Sequence, residues 1–313
     1  MQQTDTDDLI RFMNIKVLSL FICLMGWFAL PSICLGHSSP DSVSYDQQLS
    51  HGIEAFYQSD WKEASTIFEK LQEVNPSDAR AYFFYSMIPF WQYYFGDQSH
   101  GAANLYLERS EKALSVSHKQ LEDNSRDTTM ILMLSGLYGY RSLIAASEEN
   151  YKTAVSSGLD GFKYTRTLLS LDSSDPKALI GKGMFYYMMG TVPSSLRWVT
   201  NMAGVSGNME EGFRALESAA RSDSYVRNDA KMILAYLYER ENNLSKSLEH
   251  LRDLSEDYPK NIIFQYNLGR VLERTGKEAM AEKRYQLVVD MDTYYLKSLQ
   301  SKSEERLEVL RNG

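Results

Sequence analysis

Five histidines could carry acid–base or metal chemistry: His37, His51, His100, His118 and His250. No two fall within a helical turn of each other, so the paired-histidine zinc pattern is absent. The two cysteines, Cys23 and Cys34, both lie in an apolar N-terminal run. If that run is removed, no thiolate site, disulfide or cysteine nucleophile remains. Gly276-Lys277 follows Gly269 at the wrong distance for a phosphate loop. The Gly181–Gly183 pair has no strand before it, and no G-x-S-x-G elbow occurs. Asp172–Asp175 lacks the remaining ligands of a calcium loop and reads as a helix-end turn. Glu210-Glu211 and Glu304-Glu305 read as solvated helix faces. These absences point away from an enzyme, a cofactor and a metal. A net charge of −8 argues against nucleic acid, because phosphate binding needs a basic field.

What remains is the chemistry of recognition. Tyrosine and arginine tend to dominate interface energy, and the chain holds 21 tyrosines. The candidates are Asp229, Met232, Tyr236, Glu239 and Arg240, followed by Ile263, Tyr266, Arg270, Glu273 and Arg274. Read as plain helix surface, Glu273 would pair with Arg270 and Arg274 along its own helix. Read functionally, these residues line a groove for a protein or peptide, with tyrosine anchors and paired charges.

Those positions belong to a repeat. Leu234-Ala235 matches Leu268-Gly269, Asn242 matches Gly276, Ser247 matches Ala281, Leu251 matches Tyr285 and Leu254 matches Val288, each 34 residues on. The small residues let two helices of a hairpin approach, the larger ones fill the space between hairpins, and Pro259 closes the second helix. A third copy runs from Gly52 to Pro76 through Ala64, Phe68 and Leu71. The three segments resemble the tetratricopeptide repeat. That implies an all-α solenoid of helical hairpins whose concave face comes mainly from the first helices. Clear repeats are placed at about 45–78, 228–261 and 262–295, with extended hairpins over about 79–222. Within the latter, helical patterns run over 77–96, 99–122, 127–147, 150–171 and 175–190. Leu296, Leu299, Leu307 and Leu310 predict a C-terminal capping helix, completing a single domain over 41–311.

Two stretches stand apart. Residues 13–36 have Lys16, an apolar Val17–Leu30, Pro31 and small residues before Gly36, the layout of a secretory signal. An acidic leader is wrong for such a signal, so residues 1–12 are expected to be untranslated or disordered, with translation starting at Met13. The chain is therefore expected in the periplasm or cell envelope. An uncleaved anchor is the alternative.

The second stretch, 183–209, has Arg197 as its single charged side chain. Pro193 is expected to open a short inserted helix over Ser194–Ala203, and Asn208 to cap the next one. Its core reading competes with a membrane-touching or ligand-binding one led by Trp198 and Met202. Gly183, Phe185, Pro193, Leu196, Val199, Gly204, Ser206, Gly207, Glu211 and Gly212 resemble the central part of the inclusion body clearance and tetratricopeptide repeat domain 39 family. The resemblance implies a variant helical solenoid and no chemistry. The expected function is an exported scaffold that binds protein through its groove. The alternative is a peripheral membrane or lipid-binding protein using 183–209.

Overall fold

The structure is a computed structural model that describes residues 44–171, 175–191, 208–224 and 226–312. Among the described residues the fold is all-α, with thirteen helices and no strand. They are α1 (Tyr45–Tyr57), α2 (Trp61–Val74), α3 (Ala79–Phe95), α4 (His100–Asp123), α5 (Thr128–Ser147), α6 (Tyr151–Ser170) and α7 (Pro176–Gly190). Among the described residues from 208 onward come α8 (Met209–Ala220), α9 (Arg227–Arg240), α10 (Leu244–Asp257), α11 (Ile262–Arg274), α12 (Glu278–Asp290) and α13 (Lys297–Asn312). The helices read from the sequence between 77 and 190 begin and end within two residues of these bounds. Two compact units result. One comprises residues 117–233; the other combines the described residues up to 116 with those from 234 onward.

Local chemistry explains why helix alternates with turn. The turns after α1, α5, α9 and α11 share one design. Ser59, Glu149, Asn242 and Gly276 take positive φ of 63°, 59°, 58° and 71°. In each turn the next residue's N–H reaches back five positions: Asp60 to Ala55, Asn150 to Ala145, Asn243 to Tyr238 and Lys277 to Leu272, at 2.7–3.0 Å. The left-handed residue itself donates three positions back, from Ser59 to Phe56 or Gly276 to Glu273. This satisfies carbonyls that a helix end would otherwise orphan. Asp60, Asn150 and Asn243 then cap the following helix through their side chains, whereas Lys277 does not.

A second turn design precedes α3, α5 and α11. Asp78, Asp127 and Asn261 donate their N–H three residues back, to Asn75, Asn124 and Tyr258. Each side chain accepts an N–H from the first turn of the new helix. Pro76 and Pro259 lie in two of these turns, where a missing donor costs nothing.

Small residues set the hairpin spacing. A Cβ on Gly52 would stand 2.8 Å from Phe68 Cε1, and one on Gly269 would stand 3.1 Å from Tyr285 Cε1. Ala235 and Leu251, at the same spacing, share one core cluster with Leu268, Ala281 and Tyr285. In the 117–233 unit the atoms met include backbone as well as side chain. A Cβ on Gly183 would meet the Gly212 carbonyl oxygen at 2.9 Å, and one on Gly212 would meet the Tyr187 nitrogen at 2.7 Å. Helices α7 and α8 therefore cross backbone on backbone there.

The other unit joins the first described hairpin to the turn before α11. Asn261 Nδ2 donates to the Tyr57 carbonyl at 2.6 Å, and Lys260 N–H donates to Gln58 Oε1 at 3.2 Å. Tyr57 lies ring to ring with Tyr258 at 5.2 Å, and Trp91 with Phe264 at 6.4 Å. In a linear array each repeat meets only its neighbours; here the first hairpin also packs against the α10–α11 turn. Trp91 and Tyr93 are buried in this core. Helix α13 buries Leu299 and Leu307, with Leu296 just before it, while Leu310 stays half-buried. Gln300 Nε2 donates to the carbonyls of Val289 and Met291, capping the end of α12.

Candidate functional site

Helix geometry sorts the candidate groove residues. Arg270 and Arg274 are one turn apart on α11 and share a face, whereas Glu273 lies about 60° round from Arg270 on its far side and about 100° from Arg274. The face of the two arginines meets Glu239, whose side chain is only 10% exposed. Arg270 Nη1 and Nη2 donate to Glu239 Oε1 and Oε2 at 2.6 and 2.7 Å, a bidentate fork. Arg274 Nη1 donates to the same Oε1 at 2.6 Å, and its Nη2 reaches Asn242 Oδ1 at 3.3 Å. Asn267 Oδ1 accepts a further bond from Arg270 at 3.1 Å.

Glu273 faces α12 and α13 instead. It accepts from Arg306 Nε at 3.1 Å, from Arg306 Nη2, and from the Tyr285 hydroxyl at 2.8 Å. The Arg306 bonds hold its carboxyl below the usual carboxylate range, with Tyr285 helping. Burial, and then the bond to Glu273, pushes the Tyr285 hydroxyl well up. Burial also raises Tyr266, against the pull of Arg270 and Arg306, and its ring lies 6.0 Å from that of Tyr285.

The expected pairing of Glu273 with Arg270 and Arg274 along α11 is therefore corrected. The ion pairs run between helices, because the two sides of α11 face different neighbours. Three guanidiniums share two carboxylates. Arg270, Arg274 and Arg306 are each still 40–41% exposed while the carboxylates are mostly covered. The acidic groups orient the cations, and the cations meet solvent.

The other candidates separate. Asp229 and Ile263 are interior, at 2% and 1% exposure, and so do not line an open face. Met232, Tyr236 and Arg240 are half-buried on α9. Asp229 and Met232 fall in the 117–233 unit, the rest in the other. Sequence spacing marked Arg270 and Glu273 but not Arg306, Tyr285 or Asn242, because those three come from other helices or turns. A cation on the terminal helix was the available signal for Arg306.

Trp198 and Met202 lie outside the described residues, as do the signal-like segment 13–36 and the proposed inserted helix. Asn208 caps α8 as expected, accepting from Glu210 N–H at 2.9 Å. Asp175 accepts from Lys177 N–H and from the Thr128 hydroxyl, both at 3.0 Å, which is the expected helix-end role.

His118 lies between two tyrosines. Its Nε2 is 2.9 Å from the Tyr138 hydroxyl and its Nδ1 is 3.1 Å from that of Tyr164. Burial lowers its pKa, with Asp160 opposing and Lys163 assisting. Both ring nitrogens are engaged, so the imidazole reads as a structural pin. Among the described residues, no three His, Cys, Asp or Glu gather to hold a metal ion. No described helix is long and apolar enough to cross a membrane. No protein-family model matches the chain, and no curated protein matches its sequence.

Proposed function

We propose that the chain is an exported helical-repeat scaffold of the tetratricopeptide type, and that it binds a protein or peptide partner along α11. The 34-residue period, the recurring turns and the small-against-large contacts support the repeat reading. The Gly183–Gly212 crossing supports the family resemblance of the central segment, since both glycines belong to its pattern. The observation that carries the binding reading is the fixed guanidinium array. Glu239 and Glu273 hold Arg270, Arg274 and Arg306 in set orientations, half open to solvent beside Tyr266. Preorganised arginine and tyrosine lose little side-chain freedom on binding. A partner that presents carboxylate or carbonyl oxygens fits that array.

Arg274→Ala is the clean test. Arg270 still holds Glu239 in that variant, so the fold should melt within about 1 kcal/mol of wild type. Partner recovery from the producing cells should fall with Arg274→Ala and vanish with Tyr236→Ala plus Arg270→Ala. Undiminished recovery with both variants would remove α11 as the binding face.

A further inference from the structure

The turn between α9 and α10 carries a group that neither packing nor the α11 array uses. Asn243-Leu244-Ser245 is an asparagine with a hydroxyl two residues on and a residue other than proline between them. That is the acceptor pattern for an N-linked sugar. The pattern occurs once in the sequence, since Asn75-Pro76-Ser77 has the excluded proline. Asn75 Oδ1 is also already held by the Ser77 N–H and hydroxyl. Glu241 stands two residues before Asn243, so the stretch fits the longer, acidic form of the acceptor as well.

The side chains are placed as an acceptor requires. Asn243 and Ser245 are both exposed. Asn243 caps α10 through Oδ1, which accepts the Lys246 N–H at 3.4 Å. Its Nδ2, the nitrogen that takes a sugar, makes no hydrogen bond among the described residues, and neither does the Ser245 hydroxyl. The cap itself does not call for that hydroxyl. The other capping residues Asp60, Asn150, Asn208 and Asn261 have Lys62, Lys152, Glu210 and Ile263 at the same spacing. A sugar also suits the fold. Substituting Nδ2 leaves Oδ1 free to accept, so the cap survives, and the buried face of α10 begins only at Ser247.

We propose that Asn243 is the acceptor for an N-linked oligosaccharide. The proposal rests on the export reading, because the donor, an oligosaccharide on a polyprenyl diphosphate, meets chains that cross the membrane. In the transfer Nδ2 loses a proton and bonds to the sugar C1. The C1–O bond to the diphosphate breaks, and the diphosphate leaves with the electron pair. The sugar roots at the edge of the α11 array. Asn242, one residue earlier, accepts from Arg274 Nη2 at 3.3 Å, and adjacent Cα atoms are about 3.8 Å apart. A bulky, solvated group there bounds the array at its Arg274 end.

The test takes the full chain from the cells that make it. Trypsin cuts after Arg240 and Lys246, so the peptide Glu241–Lys246 carries Asn243. Its mass and fragment ions read the sugar, and fractionation of the same cells reads export. The expected result is an exported chain with sugar on this peptide. The sugar should be lost entirely in Asn243→Gln and in Ser245→Ala and kept in Ser245→Thr. Ser245→Ala leaves the Asn243 cap in place, so the test holds if Asn243→Gln loosens the fold. An exported chain with a bare peptide would overturn the site and leave the export reading standing. A chain kept in the cytoplasm with a bare peptide would overturn both. Sugar that survives Asn243→Gln would lie on another side chain and would overturn the asparagine assignment.

Discussion

The first hairpin and the α11–α12 hairpin use the same slot differently. In both, a glycine on the first helix faces an aromatic ring sixteen residues later, Gly52 against Phe68 and Gly269 against Tyr285. Both rings are fully buried. Phe68 ends in hydrocarbon and stacks on Phe84 at 5.7 Å. Tyr285 carries one more oxygen, and that oxygen donates to Glu273, which Arg306 also holds. One hydroxyl turns a packing position into part of a charged array. The lesson is that the shared small-against-large contact fixes backbone spacing, while a single polar atom on a core ring decides which hairpin acquires a charged array.

The largest effect should come from cutting the link between the two hairpins. Asn261 is fully buried; it caps α11 through Oδ1 and donates to the Tyr57 carbonyl through Nδ2. Asn261→Ala removes the cap and orphans a buried carbonyl, so we expect a loss of about 3 kcal/mol in denaturant melts. Asn261→Asp should restore the cap alone and recover only part of the loss. Recovery to wild type would show that the Tyr57 contact is idle.

Exchanging the two rings sharpens the comparison. Phe68→Tyr places a hydroxyl with no partner in a dry core and should cost about 2 kcal/mol. Tyr285→Phe keeps the ring and should cost about 1 kcal/mol. It should also raise the Glu273 pKa, readable by carboxyl NMR titration. Equal costs would show that the two slots are chemically equivalent.

The turns give a smaller effect of opposite signs. Gly276→Ala should lose about 1 kcal/mol, because an alanine at that φ strains the backbone. Ser59→Gly and Glu149→Gly should each gain up to about 1 kcal/mol for the same reason, less the added chain entropy of glycine. Thermal melts of the three variants would show this reversal of sign.

Two pH effects follow from the shifted groups. The folded pKa of Glu273 is depressed, so its contribution is present above its unfolded value near 4.5 and fades as pH falls through the lower folded one. Glu273→Gln should flatten stability in that acidic range. The folded pKa of His118 is also depressed, and here the neutral form is favoured. Stability should fall as pH drops below the unfolded value of about 6.5. His118→Gln should remove that slope, measured by urea midpoints between pH 7 and 5.

Much of this architecture was legible in the sequence. Helix bounds followed from apolar period and capping residues, because both are local. Gly52 and Gly269 were marked as repeat positions for a small residue and prove to be points of close approach; Gly183 and Gly212, marked only as part of the resemblance, are close approaches too. The matching of Asn242 with Gly276 foretold a shared turn conformation. The Asn261–Tyr57 contact was not legible, since a buried asparagine at a cap position looks like any other N-cap. The pairing of Glu239 with Arg270 and Arg274 was hidden for a related reason. Which of several charges on a helix meet depends on the neighbour across the interface, and spacing along one chain segment does not encode that. Nor was it legible that Arg109 Nη1 donates to the Tyr85 carbonyl, which Pro89 leaves without its helical N–H partner.

The central claim is that α11 and its neighbours present a binding face. A photocrosslinking residue placed at Tyr236, and separately at Trp198, in cells making the protein tests it most directly. The account predicts one discrete protein adduct at Tyr236, lost with Arg274→Ala, and none at Trp198. Lipid adducts at Trp198 with nothing at Tyr236 would contradict it and put the membrane reading first.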